Sequence, residues 1–342
     1  MLVFAFDDHL DERAAAIQRL GFSPRQARFL VLALLHAGVF VERQYCAFAR
    51  VRHGQKSTDF LHQLRRLDLA REIQPGAPHL GRLYHLHNKR LYRLVGEPDN
   101  RHRRRVPLAR LVERLMVLDA VLDGQDGERK WLATERDKAR YFEARLSDYQ
   151  FEPRMLPHLV FRSGGRETLR LFPDKLPIAV DHGRDNYVFV YLVTRASPVD
   201  FRSFLRRHFR LWLLLSQWTL RVLVPPQFDR VIPAYREAAR QELISPVSMS
   251  DTEELRWFFG ERRRREAEAS DARDRRFDGA AQRFRAPRFS SLYRAWGRDG
   301  SEVLWNASSS GLVDGFESGS AALEFIAVTR PYMRLTHLVG TS

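Results

Sequence analysis

A serine-proline pair, Ser23-Pro24, opens an apolar helical run that Gly38 stops, and two further short helices and a two-stranded ribbon follow before residue 95. This order restricts the fold more than any other feature of the chain. Serine suits the cap and proline the first helical position, so residues 24–37 read as a buried helix. Past the apolar bridge Val39-Phe40-Val41, residues 42–50 place Tyr45, Phe48 and Ala49 at helical spacing, and Arg52-His53-Gly54 makes a turn. The next segment, residues 55–67, buries Phe60, Leu61, Leu64 and Leu67. It turns Gln55, Lys56, Ser57, Thr58, His62, Gln63 and Arg66 outward. Those side chains suit contacts to base edges and phosphates. Residues 70–73 and 82–86 alternate as strands around a Gly/Pro-containing loop, with Tyr92-Arg93-Leu94 behind Asn88. The whole is expected to be a winged helix-turn-helix, with residues 55–66 as reading helix and His79 and Arg82 on the wing beside a neighbouring groove. Winged units also dock proteins, so an adaptor that recruits a recombinase or replicase is the competing expectation.

Charge favours the first. Lysine and arginine total 57 against 42 acidic residues, a formal net charge of +15 with an isoelectric point near 10.5, which draws the chain to polyanions. Only five of those cations are lysine; arginine suits bidentate contacts to phosphate and guanine, and a GC-rich genome gives the same bias. The densest cationic run, Arg101-His102-Arg103-Arg104-Arg105, precedes a core-facing helix carrying Leu108, Leu111, Val112, Leu115, Met116, Leu118 and Leu122. Arg101, Arg103, Arg104 and Arg105 are therefore phosphate candidates, set against a plain solvated linker.

Four divisions are expected: residues 1–98 for the winged unit, 99–150 for the basic linker and helices, 151–248 for an α/β domain with a mixed sheet, and 249–342 for a charged helix with an aromatic C-terminal region. The fold class is thus α+β and multi-domain. Strands at residues 158–161, 169–172, 178–180 and 187–193 precede a helix at 200–218, a strand at 220–224 and a helix at 228–243. The lone cysteine, Cys46, excludes an internal disulfide and a finger-type metal site. The remaining histidines show no ligand spacing, and no cofactor is expected. The start of the chain carries no basic leader, and the apolar run at 209–218 is broken by charge and shorter than a spanning helix. A cytoplasmic protein without membrane contact is expected.

The winged unit, the basic link and a sheet carrying Pro173-Asp174 before an extended apolar strand resemble, over residues 23–243, the replication-relaxation proteins of bacterial mobile elements. The second domain of that family is similar to restriction-endonuclease-like nucleases with the PD-(D/E)XK core. The resemblance implies that Asp174 takes the position of the first metal-binding acid. The strand expected to supply a second acid and a lysine, residues 188–194, carries neither. Asp181 and Asp185, with Lys175 as cation, are the stand-ins for a metal-dependent nuclease. The preferred expectation is a nuclease fold that no longer cuts, serving a non-catalytic, sequence-specific DNA-binding protein of a mobile element or plasmid, in recombination, replication or transcription control. Its partners would be double-stranded DNA, a recombinase or replication protein, and a second copy of itself. His85-Leu86-His87 matches the histidine pair of relaxases, with Tyr45, Tyr84 and Tyr92 as conceivable nucleophiles. Strand alternation puts both histidines on one side of the wing, facing phosphate or solvent. Residues 253–285 are the one stretch where a dimer seam could lie.

Overall fold

The computed structural model describes residues 8–73, 82–124, 129–149, 151–181, 183, 185–268, 274–330, 332, 335 and 338–340. The chain is a mixed α/β structure built on a five-stranded mixed sheet with helices packed on both of its faces.

Helix α1 (Asp8–Gln18) leads into α2 (Pro24–His36). The Ser23 hydroxyl accepts from the Gln26 amide at 3.3 Å and the Gln26 side chain accepts from the Ser23 amide at 2.9 Å, a reciprocal cap with Pro24 behind it. From Phe29 to His36 every residue of α2 is buried. The helix stops at Gly38, whose φ of +69° belongs to the left-handed region, and a Cβ there would fall 2.5 Å from the Cβ of His102. Strand β1 (Val39–Val41), α3 (Glu42–Ala49), α4 (Gln55–Arg66), β2 (Ala70–Ile73), β3 (Leu83–Leu86) and α5 (Lys89–Leu94) follow.

Two elements differ from expectation here. Val39-Phe40-Val41 is a strand rather than a bridge, because β3 lies between β1 and β2 and gives all three residues an antiparallel partner. Tyr92 sits on a helix, begun by Asn88 Oδ1 accepting from the Arg90 amide at 2.8 Å. Phe29, Phe40, Tyr45 and Phe60 hold α4 against α2 and α3, with the Tyr45 and Phe60 rings stacked at 4.0 Å.

Helix α6 (Leu108–Asp123) joins this unit to the large sheet. Leu111, Val112, Leu115, Met116 and Leu118 share one hydrophobic core with α2 and β1 and with Val190, Leu192 and Leu223 of the sheet. Polar contacts fasten it to α3: buried Gln44 donates to the Leu115 carbonyl at 3.0 Å, and Arg43 grips Asp119 with both terminal nitrogens, at 2.9 and 2.6 Å.

Strand β4 (Arg129–Leu132) and α7 (Glu135–Arg145) precede a separate hairpin of β5 (His158–Ser163) and β6 (Arg166–Leu171). The main strands are β7 (Ile178–Asp181), β8 (Asn186–Leu192), β9 (Gln217–Val224) and β10 (Ala321–Ala327), with α8 (Val199–Leu213) and α9 (Ile232–Ala239) between the last three. The order is β10-β9-β8-β7-β4; β10, β9 and β8 run parallel, while β7 and β4 are antiparallel to their neighbours. Val190 and Leu192 of β8 point to the α6 side, and Phe189, Tyr191 and Val193 to the core of α8 and α9. Burial on both faces explains the unbroken apolar run in the sequence. Residues 158–161 and 169–171, expected as strands of the main sheet, belong instead to the separate β5–β6 hairpin, and Phe172 lies just past its end.

Between α9 and β10, helices α10 (Met249–Glu268), α11 (Arg275–Arg283), α12 (Pro287–Asp299), α13 (Glu302–Ser308) and α14 (Val313–Ser318) carry their own core of Leu255, Phe258, Phe259, Phe284, Leu292 and Leu304. Of the stretch 253–285, the described residues lie mainly on α10 and α11, which pack against each other.

Candidate nucleic-acid interface

Helix α4 buries Phe60, Leu61 and Leu64 and presents the opposite face to solvent. Gln55, Thr58, His62 and Arg66 recur at the spacing of one helical stripe, and all four are exposed, as is Lys56 beside them. Among the described residues, the side chains of Lys56, Thr58, His62 and Arg66 carry no hydrogen bond or ion pair, whereas Gln55 donates to Asp59 at 2.6 Å. Twelve residues at about 1.5 Å each give a rod about 18 Å long, and the major groove is about 12 Å wide.

Three residues of this segment lie elsewhere than expected. Ser57 is fully buried; its hydroxyl accepts from the Gly54 amide at 3.1 Å and donates to the Gly54 carbonyl at 2.9 Å, tying off the start of α4. Gln63 is half-buried and donates to the Leu20 carbonyl at 3.4 Å, behind the stripe. Leu67 is exposed, since the helix has already ended at Arg66. Arg82 pairs with Glu72 at 3.1 Å, and Arg65 reaches the same carboxylate at 3.2 Å, so Arg82 braces the base of the ribbon. His79 lies outside the described residues. Arg25 and Arg28 of α2, unmarked in the sequence, line one groove with Lys56 and Tyr45.

The basic run is not a free linker. His102 is buried beneath it, and its carbonyl lies 2.9 Å from His85 Nε2. Arg104 and Arg105 are exposed and Arg103 is half-buried. Arg101 keeps solvent access, yet the chain packed around it strips part of its water. Arg114, Arg170 and Arg110 add positive charge, and its pKa is pushed down to about 10. Burial also lowers Arg114, with Arg110 contributing, and Lys175 is lowered by burial and then by Arg101 and Arg170. The charges acting on Arg101 thus belong to α6 and the β5–β6 hairpin, not to α4. Arg110 and Arg114 were legible in principle as an i,i+4 pair on the polar face of α6; Arg170, from a distant hairpin, was not.

The acidic candidates for metal-assisted cleavage are dispersed. Asp174 is held by Arg207 through both oxygens, at 2.5 and 3.3 Å. Asp185 accepts from Arg145 at 2.8 Å, from the Tyr187 hydroxyl at 2.7 Å and from Ser216 at 2.5 Å. Burial acts to raise the Asp185 pKa, and the hydrogen bonds from Ser216, Tyr187 and Arg145 override it and hold the carboxyl below its usual range. Asp181 ends β7 next to the β7–β8 turn, while Asp174 precedes the other end of that strand, with Lys175 beside it in a left-handed conformation. Among the described residues, these carboxylates form no group able to share an ion.

The relaxase-like histidines do not meet phosphate either. His85 is buried under residues 101–103, and burial lowers its pKa; His87 is partly buried, 3.7 Å from Asp68. Tyr45, Tyr84 and Tyr92 are core residues whose hydroxyls burial pushes up, away from nucleophilic use. Cys46 is buried, and burial raises its thiol.

Comparison with protein-family models, with curated proteins and with solved structures finds no match. Among the described residues, no helix is long and apolar enough to cross a membrane.

Proposed function

We propose that the chain is a non-catalytic DNA-binding protein whose residues 23–95 act as a winged helix-turn-helix, with α4 entering the major groove. The observation that carries this reading is the exposed stripe of Gln55, Thr58, His62 and Arg66, with Lys56 alongside, on a helix whose opposite face is locked into an aromatic core. A reading helix needs a packed back and free side chains in front; α4 is packed behind, and among the described residues Lys56, Thr58, His62 and Arg66 carry no internal hydrogen bond or ion pair, while Gln55 is engaged with Asp59. The helix order followed by the β1-β3-β2 sheet supports the winged fold, and the net charge of +15 supplies the attraction to a polyanion.

The crowding of Arg101, Arg110, Arg114, Arg170 and Lys175 supports a second, sequence-independent contact. Like charges held together in a folded chain repel, and a phosphate backbone removes that repulsion while releasing its own counterions. By its resemblance to replication-relaxation proteins, the setting we propose is control of recombination, replication or transcription on a mobile element. The dispersal of Asp174, Asp181 and Asp185 favours the non-catalytic version over the nuclease one.

Fluorescence anisotropy with a pool of random duplexes, followed by selection of the bound fraction, tests the proposal. Replacing Lys56, His62 and Arg66 together by alanine should weaken binding at least about tenfold and reduce the salt slope by about 0.9 for each phosphate no longer neutralised. Unchanged affinity and slope in a folded triple variant would overturn the role given to α4.

A further inference from the structure

The turn that introduces α4 gathers three metal-ligating side chains. Glu42 and Cys46 are one helical turn apart on α3, so they share a face. Arg50, at the end of α3, has a φ of +53°, a left-handed helix end that folds the chain back and brings His53 over the same face. A carboxylate oxygen, the Cys46 sulfur and a His53 ring nitrogen all lie within 4.8 Å of one another.

We propose that Glu42, Cys46 and His53 form a binding site for one borderline-soft divalent cation of the zinc class, with water in the fourth position. Bonds of about 2.0–2.3 Å at tetrahedral angles separate neighbouring ligand atoms by roughly 3.3–3.6 Å. Glu42 Oε1 and His53 Nδ1 are already 3.4 Å apart, an edge of that tetrahedron. One thiolate, one imidazole and one carboxylate favour zinc or cobalt over magnesium or calcium, which prefer oxygen alone. Cys46 is buried while His53 and Glu42 are partly exposed, so an ion has an inner sulfur ligand and a solvent-side approach. Binding forms the sulfur–metal bond as the thiol proton leaves to solvent, with no change of oxidation state.

The site sits where it can matter to α4. Residues 50–54 are the whole connection between α3 and α4, and the Ser57 hydroxyl of α4 caps Gly54 at the far end of that connection. An ion joining α3 to His53 fixes that connection at both ends. This consequence for DNA rests on the role proposed above for α4; the binding of the ion does not.

Cobalt(II) titrated into the full-length, metal-free chain, without DNA, reads the site directly. One equivalent should give a thiolate-to-cobalt charge-transfer band in the near ultraviolet together with the intense visible bands of a tetrahedral ion, and zinc should abolish both. Cys46→Ser should lose the charge-transfer band. Glu42→Gln and His53→Ala should weaken binding by about tenfold or more, the scale on which even an outer-shell partner matters. Melting of each metal-free variant shows that it folds. Absence of the bands from the folded wild-type chain, or their persistence in Cys46→Ser, would overturn the site. Zinc that binds but leaves duplex affinity unchanged would overturn only the clamp on α4.

Discussion

Lys138 is a buried cation on α7 whose Nζ donates to the Leu176 carbonyl at 2.6 Å and lies 5.7 Å from the Phe172 ring centre. Burial, and then the charge of Arg101, bring its pKa down to about 7, against the opposing pull of Asp174, Asp137 and Glu135. An unfolded lysine titrates near 10.4. Between these two values the unfolded chain holds a proton that the folded chain lacks, so Lys138 makes stability rise with pH, by up to about 1.4 kcal/mol per unit. Below pH 7 both states are charged and the penalty stays at its full size. Urea unfolding at pH 7, 8 and 9 should therefore show a gain for the wild-type chain that Lys138→Met flattens; parallel profiles would contradict the assignment. The same logic acts at lower pH on His36 and His208, held down to about 3 and about 4 by burial first. None of this was legible in the sequence, where Lys138 is one of many polar residues on a charged helix. Its burial comes from Leu176 and Phe172, which local periodicity does not bring near.

At the scale of elements, α4 was the most legible part of the chain, because Phe60, Leu61 and Leu64 mark its buried face by period alone. Its ends were not, since periodicity says nothing about which small polar residue turns back to cap. Ser57 was therefore assigned outward and Leu67 inward, and each lies the other way. The cap makes a prediction about Gly54, whose φ of +155° and ψ of −157° fall in a region that only glycine visits readily. A Cβ there would meet no atom within 4 Å, so any cost is backbone strain alone. Gly54→Ala should destabilise the chain by about 1–3 kcal/mol in equilibrium denaturation, although every side-chain interaction is kept. A change within about 0.5 kcal/mol would show that the turn relaxes into another conformation. Strands β4 and β10 were missed for a different reason. Both are sheet edges with half-exposed residues, and the partner of β10 lies about a hundred residues earlier in the chain. Edge strands carry the weakest alternation, and a parallel partner leaves no hairpin signal between them.

For the whole molecule, the question is whether the two cationic regions, α4 and the junction of α6 with the β5–β6 hairpin, serve one ligand. They differ in kind. The stripe on α4 projects neutral and charged side chains of varied length, whereas at the junction burial first, and then neighbouring guanidinium groups, lower the pKa of Arg101 and Arg114. A cluster of the second kind cannot discriminate sequence, but it gains from any phosphate placed against it. Helix α6, which carries Arg110 and Arg114, is fastened to α3, the element before α4, by its core side chains and by the Arg43–Asp119 and Gln44–Leu115 contacts. If one duplex spans both, replacing Arg101 and Arg170 by alanine should leave stability unchanged or slightly raised, as like charges are removed. Affinity should fall by the same factor for every duplex, and the salt slope should drop by about 0.9 for each phosphate that the junction ceases to neutralise. The α4 variants should instead compress the difference between selected and random duplexes. Binding isotherms at several salt concentrations, on one selected and one random duplex, separate the two effects. A junction variant that alters sequence preference, or that leaves both duplexes bound as before, would overturn the second contact proposed for the junction and confine the proposed DNA interface to α4.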